Sequence, residues 1–174
     1  EIPGVTAIPI GLENVALNHN GKLHYYLDEL QHPTPPEKRN RLVLSSFHVS
    51  TNPELREQAR HFLKTSRHGH EDTFAKSLDY RLEVRRTKFV ISPPGNGMDC
   101  HRTWEAGYLG AVPVVLEGYL AKSLICSAPI LEVKSFEDFC SLTDDQLEQL
   151  YASTRRTQKA AGLGMLWLTE IISE

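Results

Sequence analysis

The sequence lacks several features that mark common classes of protein. Its 174 residues carry a net charge of -3, and this absence of a basic excess argues against nucleic acid as the main partner. No apolar run approaches membrane-spanning length and no signal-peptide pattern is present, so no membrane-spanning segment is predicted. The three cysteines form no Cys-x-x-Cys pair, which argues against structural zinc and predicts reduced thiols.

Catalytic and metal-binding motifs are also scarce. The Gly-x-Ser-x-Gly turn of serine hydrolases is absent. The Asp-x-Asp pair that would chelate a divalent cation is absent too. His68 and His70 form a His-Gly-His stretch, but no further ligand follows at a useful spacing, so an exposed flexible loop is favoured over a metal site. No metal ion and no resident cofactor are therefore expected.

The length fits one well-buried domain, and no internal repeat or low-complexity linker divides it. We distinguish a lead-in segment over 1–40, a core over 41–157 and a C-terminal helix over 158–174. Since the chain begins with Glu1 rather than Met, a processed product or a fragment is expected.

Apolar patterning predicts strands that alternate with helices. Strands are predicted within 1–14 and over 41–46, 88–91, 112–116 and 129–133. Helices are predicted over 23–30, 53–64, 73–84, 101–108, 121–125 and 144–153. Thr143 and Gln146 form a capping box at the start of the last of these. The alternation predicts an α/β, Rossmann-like three-layer fold with a mainly parallel sheet and helices on both faces.

Two loops are predicted to face a ligand, because sites in parallel sheets lie outside the carboxyl ends of the strands. They are 46–52 and 92–100, each of which follows a predicted strand. The second contains Gly95, Asn96 and Gly97, whose glycines allow close approach of the backbone to a ligand.

The helix that follows this glycine loop begins near His101 and Arg102. A helix start offers free amides and a positive dipole end, and an arginine can pair with two phosphate oxygens at once. The pattern predicts a seat for phosphate. The alternative is a tight strand–helix turn with a solvent-facing Arg102.

Glu105 stands one helical turn after Arg102. A carboxylate in this place can accept hydrogen bonds from two adjacent ribose hydroxyls, with the phosphates toward the helix start. The alternative for Glu105 is a salt bridge to Arg102. Trp104, between them, is predicted to be a packing anchor rather than a platform for a base.

The run KFVISPPGNGMDCHRTWEAGYLGAVPVV over 88–115 resembles the carboxyl-terminal half of exostosin-like glycosyltransferases of the two-Rossmann-domain (GT-B) architecture. Its Glu-Ala, Gly and Pro-Val-Val elements are similar to a broader glycosyltransferase pattern, with one extra residue between Gly110 and Pro113. The resemblance implies that Glu105 contacts the donor ribose and that the loop over 95–97 contacts the diphosphate. His101 and Arg102 would lie beside that diphosphate.

A second stretch, Leu-Ser-Ser-Phe over 44–47 followed by Thr-Asn-Pro-Glu-Leu-Arg over 51–56, resembles the first strand-loop-helix of the same domain. The resemblance adds Thr51, Asn52 and Arg56 as donor-site candidates. Their alternative roles are helix capping by Asn52 and a solvated Arg56.

The sequence departs from the retaining version of the family pattern, which has another Glu eight positions before the ribose Glu. Gly97 occupies that place here, so a retaining mechanism is not inferred. Asp99 lies nearby and is either a substitute for that acidic contact to the donor sugar or a helix cap. His48, in the first cleft-facing loop, is a candidate for a base or for a donor contact, and these two residues are the catalytic candidates.

The function implied is a glycosyltransferase, of hexosyl or pentosyl type, that moves a sugar from a nucleotide-diphosphate sugar to a glycan or other hydroxyl acceptor. The nucleotide sugar is then a co-substrate, and a second Rossmann-like domain or chain is an expected partner. The alternative is a non-catalytic nucleotide-sugar-binding module. A dinucleotide-dependent oxidoreductase is disfavoured because the glycine loop lacks a third glycine. The location stays open between cytoplasm and Golgi lumen.

Overall fold

The computed structural model describes residues 7–13, 22–71, 74, 77–126 and 128–160. Four strands form one sheet in the order β1-β2-β3-β4, and every neighbouring pair is parallel. The strands are β1 (Arg41–Ser45), β2 (Thr87–Ile91), β3 (Val112–Leu116) and β4 (Leu131–Val133).

Seven α-helices in the described residues surround this sheet. They are α1 (His24–Gln31), α2 (Pro53–Thr65), α3 (Ser77–Arg85), α4 (His101–Tyr108), α5 (Lys122–Cys126), α6 (Phe136–Ser141) and α7 (Asp144–Ala160). Short 3-10 turns cover Pro36–Lys38 and Val49–Thr51.

The strands β1 to β3 are largely buried on both faces because helices cover both. On one face, α2, α6 and α7 pack against alternate side chains of β1, β2 and β3, around Val43, Phe89 and Val112. On the other face, α1, α3 and α4 pack against the intervening residues Leu44 and Val90. The prediction of an α/β, Rossmann-like three-layer domain with a parallel sheet is confirmed.

Helix starts follow the capping signals in the sequence. Asn52 accepts from the Leu55 amide at 3.4 Å, and Pro53 takes the first position of α2. Thr143 and Gln146 exchange reciprocal hydrogen bonds at the start of α7, as the capping box predicts.

A buried ionic network fixes α1 to the amino end of the sheet. Arg39 pairs with Glu29 at 2.7 Å and also donates to the carbonyls of Thr87 and Leu109. Arg85 binds the other carboxylate oxygen of Glu29 at 2.7 Å. Two cations and several carbonyls thus compensate for burying these charges.

Three details differ from the sequence predictions. The strand predicted within 1–14 is wrong over the described residues 7–13, which contain no strand. The helix α6 was not predicted, although Ser135 caps it by accepting from Asp138 N–H at 3.0 Å. The helix predicted over 73–84 is confirmed from Ser77, and Phe74 lies outside it.

The last helix continues beyond the predicted end at 153 to Ala160. The rest of the C-terminal helix predicted over 158–174 lies outside the described residues. Across the described part of the chain, no helix is long and apolar enough to cross a membrane.

Candidate functional site

The candidate site lies at the carboxyl ends of β1 and β2. Ser45 and Ile91, the last residues of these strands, are register partners, so the loops 46–52 and 92–100 leave the sheet side by side. The helices that follow, α2 and α4, lie on opposite faces of the sheet. The loops therefore lie between two helix starts, at the usual place for a ligand in such folds.

Arg56 joins the two loops. Its guanidinium donates to the carbonyls of Pro94 at 2.8 Å, Pro93 at 3.0 Å and His48 at 2.8 Å. The side chain is only 4 % exposed, so the alternative of a solvated Arg56 is wrong. Burial, and then the charge of Arg102, lowers the pKa of Arg56 to about 10, which leaves it cationic at neutral pH.

The glycine loop is packed tightly against this arginine. A Cβ added at Gly95 would lie 2.9 Å from Arg56 Nη2 and 3.6 Å from the Thr51 hydroxyl. Asn52 donates to the Gly95 carbonyl at 3.3 Å. Asn96 is exposed beside them. Thr51, Asn52 and Arg56 thus shape the glycine loop, and Arg56 uses three of its five N–H donors to do so.

The start of α4 has no side-chain cap. The side chain of its N-cap residue, Cys100, accepts no hydrogen bond from a backbone amide of the first turn. Ser92 bonds the Thr103 hydroxyl at 2.8 Å and so ties the end of β2 to this turn. Gly97 is exposed in front of it. The phosphate seat stays a prediction; the structure places helix-start amides without a side-chain cap at the loop's end.

Arg102 is half-buried on the first turn of α4. Its Nε is buried and has no hydrogen-bond partner among the described residues. No ion pair within the described part of the chain joins it to Glu105, so the salt-bridge alternative is not what the structure shows. Its guanidinium is a cation that adds to the charge of Arg56 around one loop.

Glu105 is 5 % exposed, which sequence reasoning did not foresee. Its Oε1 is buried without a partner among the described residues, and the backbone N–H of Glu13 donates to the carboxylate. Burial raises the pKa of Glu105, and the charge of Arg102 opposes that shift.

Residues 10–13, which we call the strap, lie across α4 and cover this carboxylate. Ile10 N–H donates to Asp99 Oδ2 at 2.8 Å, and His101 Nδ1 donates to the Gly11 carbonyl at 2.8 Å. The Glu13 amide completes the contact at Glu105. The strap therefore holds two of the predicted ligand residues, His101 and Glu105.

The two catalytic candidates, Asp99 and His48, differ in their surroundings. Asp99 accepts from the Trp104 indole N–H at 2.7 Å and from the strap, so both of its oxygens are engaged and it caps no helix. Trp104 is buried in an apolar cluster, in agreement with its predicted packing role. His48 is exposed, and its carbonyl accepts from Arg56.

The His-Gly-His loop is not exposed as predicted, since His68 and His70 are both half-buried. His70 Nδ1 bonds the Ser45 hydroxyl at 2.7 Å, and its ring lies 4.5 Å from that of Phe47. Within the described ranges, no group of three or more His, Cys, Asp or Glu residues is placed to hold a metal ion.

Sequence reasoning missed Tyr80 of α3, whose buried hydroxyl faces Arg102 and Glu105. It also missed the strap. Neither carries a local signal, because a tyrosine on an amphipathic helix and a loop with glycine are common in any fold.

Comparison of the chain with protein-family models finds no match, and comparison with curated protein sequences finds none either. The function of the site is therefore inferred from its residues and their geometry.

Proposed function

We propose that the chain is the nucleotide-sugar-binding half of a glycosyltransferase, which transfers a sugar from a nucleotide-diphosphate sugar to a hydroxyl of a glycan or other acceptor. One observation carries the proposal. Arg56 and Arg102 flank one glycine loop at the carboxyl end of a parallel sheet, and in the described part of the chain neither is paired with a carboxylate.

The diphosphate fits the start of α4. Two guanidinium groups, the uncapped amides of the helix and the exposed backbone of Asn96 and Gly97 all favour an anion there. Arg102 supplies donors directly. Arg56 acts mainly by holding the loop, with its charge as a second contribution.

The ribose follows toward Glu105, one turn along α4. Since the strap covers this carboxylate, binding requires that residues 10–13 move or exchange the Glu13 amide for a ribose hydroxyl. One ribose hydroxyl then replaces the Glu13 amide as a hydrogen-bond donor to Glu105, and the second donates to Oε1, which has no partner in the described residues.

Transfer breaks the bond between the anomeric carbon and the diphosphate oxygen while the acceptor oxygen bonds that carbon. The leaving diphosphate gains negative charge, which Arg102 and the helix start stabilise. The acceptor hydroxyl loses its proton to a base, which we place on a second Rossmann-like half because Asp99 is engaged on both oxygens.

The test is calorimetric titration of nucleoside diphosphates into the protein and its Arg102→Ala and Glu105→Ala variants. Each lost charge-assisted hydrogen bond is worth about 1.5–3 kcal/mol, so roughly ten- to hundredfold weaker binding is expected in each variant. Arg86→Ala is the control, because Arg86 pairs with Glu83 next to the amino end of β2, away from the site. Unchanged affinity in both variants would remove the assignment of the site.

A further inference from the structure

Three buried polar atoms meet between α3 and α4. They are the Tyr80 hydroxyl, Arg102 Nε and Glu105 Oε1. None meets hydrogen-bond geometry with another atom of the described residues, although the Arg102 side chain lies close enough to the Tyr80 hydroxyl to interact with it. Tyr80 is 9 % exposed and Glu105 is 5 % exposed. Each unsatisfied buried group costs about 1–3 kcal/mol, so the cluster is not explained by its contribution to stability.

The tyrosine is fixed in place by apolar packing. Its ring belongs to the same buried cluster as Ala106, the residue after Glu105, and lies 5.6 Å from the ring of Phe74. The hydroxyl is therefore held at one point rather than sampling several rotamers.

Burial keeps the Tyr80 hydroxyl protonated. Burial raises the pKa of Tyr80, the charge of Arg102 opposes this shift and that of Glu105 adds to it. A protonated phenol both donates and accepts a hydrogen bond, whereas Arg102 Nε only donates and a carboxylate only accepts. The three groups together suit a ligand that has donors and acceptors on neighbouring atoms, such as a vicinal diol.

We propose that Tyr80 is a further ligand residue, whose hydroxyl together with Glu105 selects a nucleotide that carries both ribose hydroxyls. The inference rests on the proposed function. It adds a ligand residue on another helix, α3, and a preference for ribonucleotides over 2′-deoxynucleotides. A ribose without its 2′-hydroxyl would leave one buried group of the cluster unpaired, and such a loss is what discriminates strongly between ligands.

Tyr80→Phe tests this, because it removes the hydroxyl and leaves the packed ring. Tyr151→Phe is the matched control. Its hydroxyl is also buried without a partner in the described residues, but its ring packs on Phe89 at the opposite face of the sheet. The uridine, guanosine, adenosine and cytidine diphosphates are titrated first, and the tightest binder is then compared with its 2′-deoxy form.

We expect the unmodified protein to bind the ribonucleotide more tightly than the 2′-deoxy form. Tyr80→Phe should weaken ribonucleotide binding about five- to tenfold, the value of one hydrogen bond, and leave 2′-deoxynucleotide binding unchanged. Tyr151→Phe should alter neither. The melting temperature of ligand-free Tyr80→Phe should fall little, because the contact of the hydroxyl with Arg102 does not reach hydrogen-bond geometry.

Other outcomes separate the two proposals. If the unmodified protein discriminates between the two nucleotides and Tyr80→Phe keeps the same ratio, Tyr80 is not a ligand residue and the proposed function stands. A lower melting temperature with equal weakening of both nucleotides would assign Tyr80 to packing and also overturn the inference. If the unmodified protein binds no nucleoside diphosphate, the proposed function fails and the inference fails with it.

Discussion

Gly110 and Gly118 share a left-handed backbone but not their surroundings. Their φ angles are +75° and +82°, a region in which a non-glycine residue costs about 1–2 kcal/mol. A Cβ at Gly110 would clash with the Arg39 guanidinium and lie 3.1 Å from Glu29 Oε1, whereas a Cβ at Gly118 would meet nothing within 4 Å. Comparing substitutions at the two glycines therefore separates the cost of backbone strain from the cost of disrupting the Arg39–Glu29 ion pair.

We expect Gly118→Ala to lower the free energy of unfolding by about 1–2 kcal/mol and Gly110→Ala to lower it by about 3–5 kcal/mol more, the value of disrupting a buried ion pair. Urea denaturation of both variants measures the difference. Equal losses would mean that Arg39 and Glu29 rearrange around the new methyl group at little cost.

Glu105 should make stability depend on pH. Its folded-state pKa is raised above the ordinary 4.5 by burial, so the folded state keeps a proton that the unfolded state releases. The carboxyl therefore favours the folded state fully below pH 4.5, and that contribution is lost as the pH rises through the folded-state pKa.

Glu105→Gln removes this titration and keeps an oxygen for the Glu13 amide. We expect the variant to melt at the same temperature as the unmodified protein in acid and progressively above it toward neutral pH. Glu117→Gln, at an exposed position, is the control. A variant that melts lower at neutral pH would show that attraction to Arg102 outweighs the cost of burial.

At the scale of single residues, the sequence predicts which side chains suit a ligand better than it predicts how deeply each side chain is buried. Arg102 and Glu105 could be chosen because their types and spacing suit phosphate and ribose. The burial of Glu105 could not, since it depends on the strap, which lies over ninety positions earlier in the chain and packs by tertiary contact. The sequence correctly predicts that Arg56 lies beside the first loop. The alternative of a solvated side chain is wrong, although a charged side chain on a helix is usually solvated.

Under the proposed function, the strap is the element that competes most directly with a nucleotide. It forms three hydrogen bonds, to Asp99, His101 and Glu105, and the last two are predicted ligand residues. Weakening it should therefore favour the open site. Ile10→Pro removes the amide that donates to Asp99, whereas Ile10→Ala keeps that amide and serves as the control.

If the strap competes, Ile10→Pro should tighten nucleoside diphosphate binding by about two- to tenfold, the value of one hydrogen bond. Ile10→Ala should leave the affinity unchanged. Titration calorimetry on the three proteins measures both. Weaker binding by Ile10→Pro alone would make the strap part of the site rather than its cover.

At the scale of single elements, the sequence predicts strands and helices that depend on local residue patterns. The strands β1 to β3 were found within a residue or so, because each is a short apolar run bounded by breakers. The false strand within 1–14 has a tertiary cause. Ile10 N–H and the Gly11 carbonyl are bonded by side chains of the α4 region, and Gly11 has a φ of +69° that bends the chain.

For the whole molecule, the alternation of strands and helices is enough to predict the parallel sheet and the carboxyl edge at which the two loops meet. It placed the loops 46–52 and 92–100 together, and the register of Ser45 with Ile91 shows why they meet. Pattern alone does not reveal that one arginine, Arg56, spans both loops, since that contact depends on where α2 crosses the end of the sheet.

Under the proposed function, this domain holds the nucleotide and a second one supplies the catalytic base. The described residues offer cations and a carboxylate for a nucleotide diphosphate, whereas Asp99 is engaged and His48 is exposed on the surface. We expect the 174-residue chain to be stabilised by its nucleotide. At one hundred times the dissociation constant the gain is about 2.7 kcal/mol, a melting shift of roughly 5–11 °C.

The same chain should bind a nucleotide sugar and transfer nothing from it. Mass spectrometry of the sugar donor with simple glycan acceptors, with and without an added second Rossmann-like half, measures this directly. Transfer by the chain alone, abolished in His48→Ala, would make His48 the base and remove the need for a second half. Binding without transfer under both conditions would instead favour a nucleotide-sugar-binding module, because the site would then hold a leaving group that no acceptor displaces.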